Sequence, residues 1–243
     1  MRLFLALVAC TLAACAAPGP QLHEFHGVDV LLVGEQHDAD SHATLQRQVV
    51  MGLAQRGVLG ALAMEMAERG ASTAGLPPEA SQDDVRRALR WNREAWPWER
   101  YGPAVMAAVA AGVPVLGANL PRAEMRAAMA DVSLDRLLSG PAMKAQQQAI
   151  RLGHCELLPQ QQIRPMTRIQ IARDREMARA LQSALAPGKT VVLLAGAGHV
   201  EPELGVPRHL AATLRVRSLV LPPQPTGKDH CAELRLQMPR RAP

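Results

Sequence analysis

The run Val30-Leu31-Leu32-Val33-Gly34-Glu35-Gln36-His37-Asp38 constrains the fold more than any other stretch of the chain. Its apolar, β-branched residues stop at a glycine and then present a carboxylate and an imidazole. That order predicts a buried strand delivering reactive side chains at its carboxyl end, where open α/β sheets place their ligands. The same order returns where Thr190-Val191-Val192-Leu193-Leu194-Ala195 leads into Gly196-Ala197-Gly198-His199. Gly60-Ala61-Leu62-Ala63-Met64-Glu65-Met66 reads as another buried strand, with Glu65 at its end. Residues 113–119 form a further one ending in Asn119, with Pro114 at its start, where a missing donor is tolerated. Residues 217–221 make a fifth, followed by a Pro-rich tail.

Helical periodicity fills the gaps. Ser41 is expected to cap a helix carrying Leu45, Val49 and Leu53 and stopping at Gly57. Helices are also expected over 83–93, 103–111 and 122–129. Between Leu134 and Leu152 the pattern gives one or two helices, separated at Gly140-Pro141, and residues 153–155 and 159–165 read as loop. Thr167 opens the longest periodic segment, with Ile171, Met177, Ala178, Leu181 and Leu185 on its apolar side and Arg173, Asp174, Arg175 and Glu176 on the other. Strands alternating with such helices predict an α/β fold: a mostly parallel sheet with helices on both faces. One domain is expected over residues 25–243, with an inserted helical subdomain near 134–185 because that stretch is too long for one crossover.

The first 14 residues read as a signal peptide: a positive start at Arg2, an apolar core over 3–12, and small residues before a cysteine. The core is too short to span a bilayer. Leu12-Ala13-Ala14-Cys15 resembles a lipobox, which implies cleavage before Cys15, lipidation of its thiol and a lipid anchor in the membrane. Ala16 in place of Asp favours the outer membrane of a bacterial envelope, facing the periplasm, and residues 15–24 form a tether around Pro18-Gly19-Pro20. With Cys10 and Cys15 assigned, Cys155 and Cys231 are the remaining pair and are expected to form a disulfide pinning the tail. The formal charge of +5 becomes +4 once Arg2, the one charged residue of the first 14, is removed. Basic residues scattered over helices, with few aromatics, argue against nucleic-acid binding.

The topology gathers Glu35, His37, Glu65, Asn119 and His199 at one sheet edge. Two carboxylates and two imidazoles in a cleft suit a divalent metal, acid–base work, or bonding to one another, and collecting charge at a buried rim is costly without a task. No Gly-x-Ser-x-Gly elbow is present, which disfavours a serine hydrolase. The chain has six aromatics, and Trp91, Trp96, Trp98 and Tyr101 fall within eleven residues. Such a cluster is either a satellite core or the wall of a flat apolar ligand site.

Ordered blocks then carry a resemblance. Leu32-Val33-Gly34-Glu35-Gln36-His37-Asp38, Met64-Glu65-Met66, Tyr101-Gly102-Pro103, Gly112 through Arg122, His154-Cys155 with Leu158-Pro159, the run from Gln170 to Ala178, and Ala195-Gly196-Ala197-Gly198-His199-Val200 together resemble the ChaN-like family of haem-binding lipoproteins. The resemblance implies an α/β fold with an added helical part and a role in haem or iron acquisition. It also implies a haem shared between two subunits of a homodimer, with a tyrosine as iron ligand and a histidine assisting. Tyr101, the one tyrosine, is then the tyrosinate ligand, with Trp98 and its neighbours as a porphyrin wall, Met106 extending it, and His154 among the haem-binding residues. The wider superfamily is similar to metal-dependent peptidases and erythromycin esterases. That likeness frames the alternative to a haem carrier, a metal-dependent hydrolase built on Glu35, His37, Glu65 and His199.

Overall fold

A computed structural model describes residues 25–237. The expected signal peptide, the tether and Cys15 lie outside the described residues. Five strands, β1 (Val30–Glu35), β2 (Leu59–Glu68), β3 (Val115–Asn119), β4 (Thr190–Gly196) and β5 (Val216–Val220), form one sheet in the order β3-β2-β4-β1-β5. All pairings are parallel. β1 and β4 are buried along their whole length, as unbroken apolar runs require when both sheet faces are covered.

Alternation along the strands assigns residues to two faces. Leu31, Val33, Leu62, Met64, Val192 and Leu194 pack beneath α1 (Asp40–Gln55), α2 (Gln82–Ala88) and α3 (Trp98–Ala110). Val30, Leu32, Ala61, Ala63, Val191 and Leu193 pack against Met177, Ala178 and Leu181 of α6 (Gln160–Ser183). Each Leu or Met fully withdrawn from water contributes about 1.5–3 kcal/mol before chain entropy is charged. The return path from β3 carries α4 (Met125–Ala130) and α5 (Gly140–Gly153). With the middle of α6 they enclose a small separate core of Leu120, Ala128, Leu134, Leu138, Met143 and Ile171, the basis of a helical lobe rising beside the sheet.

The order of strands creates the crevice. The connections leaving β1 and β2 run over the face of α1 and α3, whereas that leaving β4, which lies between them, runs over the opposite face. Loops that diverge in this way leave a gap above the central strand ends, where α/β sheets take ligands.

Several boundaries differ from the sequence expectation for physical reasons. The first helix starts one residue before Ser41, with Ala39 as its N-cap. Gly140-Pro141 opens α5 rather than breaking a helix, because Ser139 caps it and proline fits its first turn. Pro165 lies inside α6, close enough to the start that only one helical bond is lost. The tail beyond β5 ends in an additional helix, α7 (His230–Gln237), and Cys231 on it is bonded to Cys155 at the end of α5.

Candidate functional site

The rim above β4 is built by β1, β2, β3 and α6. Glu35, the last residue of β1, is 2% exposed and engaged on both oxygens. Its Oε1 accepts from the Tyr101 hydroxyl at 2.7 Å and from His37 Nδ1 at 2.7 Å. Its Oε2 accepts from Gln46 Nε2 at 2.5 Å. Glu65 is equally buried. It receives Arg173 Nη2 at 2.5 Å and the Gly196 amide at 2.7 Å, and His199 Nε2 stands 3.4 Å away. Asn119 ties the group together, donating to the Glu65 carbonyl at 2.9 Å and accepting from Arg173 Nε at 2.9 Å. His199 Nδ1 donates to Asp174 at 2.5 Å.

Local backbone features aim these groups. Between Met64 and Glu68 the register of β2 on β3 shifts, a bulge of the kind that re-aims side chains beside a site. Gly117 permits it, since any side chain there would collide with the Glu68 carbonyl. Gly196 lets His37 approach: a Cβ at that position would lie 2.8 Å from His37 Nε2.

The electrostatics follow from burial opposed by pairing. Burial disfavours the charged form of His199, but the carboxylates of Glu65 and Asp174 outweigh it and push the imidazole up to about 9. Burial likewise works against ionised Glu65, yet His199, Arg173 and His37 hold its carboxyl well below the ordinary range. Burial raises Asp174, which His199 only partly offsets. For His37 the pull of burial is overcome by its hydrogen bond to Glu35 and the charges of Glu65 and Glu35, so it sits above its ordinary value. The rim is thus a set of matched charges, with the His37 side chain the most exposed of them at 41%.

The structure therefore brings Glu35, His37, Glu65, Asn119 and His199 together. It joins them as an internally bonded cluster rather than as ligands to an ion: among the described residues no group of three His, Cys, Asp or Glu side chains has the arrangement to hold a metal. The reason is that Arg173 takes one oxygen of Glu65 while Tyr101 and Gln46 occupy Glu35. Arg173, Asp174 and Gln46 were the participants that sequence reasoning missed. Asp174 lies on the apolar stripe Ile171, Asp174, Ala178, Leu181, and Gln46 on the stripe His42, Gln46, Val49, Leu53, so a polar residue at buried spacing was the signal.

The expected haem residues do not converge. Tyr101 is fully buried, and burial together with the charge of Glu35 pushes its phenol far above the ordinary value. In this structure it is a proton donor to Glu35. Trp98 is buried edge-on against Trp91 at 5.0 Å, with its Nε1 donating to Gln82 at 2.8 Å. Trp91, Trp98 and Tyr101 are part of the core beneath α3, and the cluster reaches the rim through the Tyr101 hydroxyl on Glu35 and through Trp96, edge-on to His37 at 4.9 Å. His154 closes α5, with Nδ1 on the Ile150 carbonyl at 2.8 Å, and has no bond to the rim.

Open space lies elsewhere. A groove of about 950 Å³ runs between α1 and α3, lined by Ala43, Arg47 and Met51 on one wall and Pro103, Met106 and Ala107 on the other. Small residues on both helices keep it wide, and its volume is within the range of small-molecule sites.

Comparison with known proteins completes the picture. A solved structure of ChaN of Campylobacter jejuni, described as showing cofacial haem binding, is similar over 82% of this chain and 83% of that chain, with a TM-score of 0.67 and 24% identity. The type III effector HopBA1 is similar over 79% and 75% of the two chains, with a TM-score of 0.41 and 17% identity. Comparison with curated proteins gives no match. A model of the family of haem-binding uptake proteins, Tiki superfamily, ChaN, matches residues 21–210. Because that match covers well over half of its length, the chain belongs to the ChaN family of haem-binding uptake proteins.

Proposed function

We propose that this protein binds haem and serves its uptake at a bacterial cell envelope, anchored by lipid on Cys15 to the outer membrane and facing the periplasm. The observation that carries the reading is the match of the haem-binding family model along residues 21–210. The likeness in fold to a ChaN described by its cofacial haem binding is the ground for extending the proposal to two copies of this chain bringing their haems face to face.

The groove between α1 and α3 is the part of the molecule suited to the ring. A porphyrin is a flat apolar plate with two carboxylates at one edge. Ala43, Met51, Pro103, Met106 and Ala107 supply apolar walls, and the exposed Arg47 guanidinium suits a propionate. The thioethers of Met51 and Met106 are soft, adaptable contacts and belong to a side-chain class that ligates haem iron. Haemin added to the purified protein is expected to give a shifted, saturable Soret band. A spectrum that stays that of free haemin overturns the reading. For the anchor, Cys15→Ser is expected to move the protein from the membrane to the soluble fraction; retention on the membrane contradicts it.

A further inference from the structure

The tail beyond β5 lies outside the segment matched by the family model, which ends at residue 210, and it takes an unusual path. Leu221 still pairs with Gly34, its amide 2.9 Å from that carbonyl. The chain then crosses the loop that carries His37. Pro222 accepts from His42 Nε2 at 2.9 Å, and His42 Nδ1 accepts from the Gln36 amide at 3.1 Å, so the buried ring bridges tail and loop in a single tautomer. Gln224 and the Gln36 side chain bond reciprocally: the Gln224 amide donates to Gln36 Oε1 at 2.9 Å, and Gln36 Nε2 donates to the Gln224 carbonyl at 3.0 Å. Thereafter the tail leaves the sheet and reaches the helical lobe, where Cys231 is bonded to Cys155.

The far end is tied covalently to the lobe by that bond. Among the described residues α7 makes no extensive contact with any other helix or strand, and its Leu236 is 88% exposed. An eight-residue helix in which Cys231, Ala232 and Leu234 are only half-buried is not stable by itself. Its attachment at Cys155 connects the loop at Gln36 to the lobe that delivers Arg173 and Asp174 to the same rim. The tail and lobe thereby close a covalent ring beside the crevice, the two cysteines lying 76 positions apart in sequence.

We propose that residues 221–237 are a strap across the rim, latched by Cys155–Cys231, whose release by a dithiol opens access to His37. One thiolate of the dithiol attacks a sulphur of the bridge, displacing the other cysteine as a thiolate that takes up a proton. The second thiol resolves the mixed disulfide, so the dithiol leaves oxidised and both cysteines end as thiols. With the bridge open, the strap beyond Pro222 is held to the loop by the Gln36–Gln224 pair and by the hydrogen bond between Asp38 and Thr226.

Hydrogen exchange on the full chain, with and without dithiothreitol and in the Cys155→Ser/Cys231→Ser variant, tests this. Reduction is expected to speed exchange over 223–237 by about tenfold or more while the strand amides of β4 keep their protection, and the double variant should match the reduced wild type. In parallel, diethyl pyrocarbonate should modify His37 several-fold faster once the bridge is open, read by peptide mass analysis. Unchanged exchange in the tail would show that its hydrogen bonds hold it without the bridge and would overturn the latch. Loss of protection throughout β4 would mark the bridge as a general staple and would also overturn it. Faster tail exchange with unchanged His37 modification would refute the gating of the rim.

Discussion

The rim above β4 and the groove between α1 and α3 share two helices and differ in almost everything else. At the rim, Glu35, Glu65 and Asp174 meet His37, His199 and Arg173 and are bonded mainly to one another, with Gln46 Oε1 and Asp174 Oδ2 buried without a partner. In the groove the walls are mostly alanine, methionine and proline, with Arg47 and Glu99 as the charged residues of the lining. A buried charge is tolerated only when matched, so most of the bonding capacity of the region richest in chemistry is spent within the protein. The groove has little chemistry and ample room. Conspicuous residue chemistry and ligand capacity are therefore separate properties in this molecule.

Substitutions should divide along the same line. Glu65→Ala strands Arg173 and His199 in a buried setting, and is expected to cost about 3–5 kcal/mol in chemical denaturation, while haemin binding in the surviving folded fraction persists. Should the variant be as stable as the parent, the rim is not the matched-charge cluster described. Tyr101→Phe removes one donor from Glu35 and is expected to cost about 1.5–3 kcal/mol, since that bond is to a charged group.

The pH dependence sharpens the contrast further. His199 is raised from 6.5 to about 9 in the folded protein, so its contribution is complete below pH 6.5 and is lost as the pH rises through about 9. His37 is shifted in the same direction. Denaturation midpoints should accordingly fall between those pH values, and the fall should diminish in His199→Gln. A midpoint that climbs over that window contradicts the assignment. The smallest stability effect belongs to the groove: Ala107→Trp places its ring in open space from a half-buried position on the groove wall, and should change stability by no more than about 0.5 kcal/mol, yet block haemin.

Much of this architecture was legible in the chain. Unbroken apolar runs ending in glycine and a polar residue identified β1, β2, β3 and β4, and the shared rim followed once they were parallel neighbours. Other features were not legible, for reasons that particular residues make plain. Asp174 sits among charged neighbours in Arg173-Asp174-Arg175-Glu176, and only its three-residue spacing from Ile171 and Met177 marks it as buried. Trp91, Trp96, Trp98 and Tyr101 cluster in sequence whether they line a ligand or fill a core; the packing that decides between these is set by α2 and α3, which sequence spacing does not contain. α7 lacks an apolar face and owes its position to a covalent bond, so periodicity could not reveal it.

The most direct test compares two variants in one optical titration with haemin. Tyr101→Phe should retain the wild-type Soret shift and stoichiometry, whereas Ala107→Trp should lose them while keeping the wild-type fold by circular dichroism. Loss of the shift in Tyr101→Phe together with its retention in Ala107→Trp would put the iron at the rim and contradict the account.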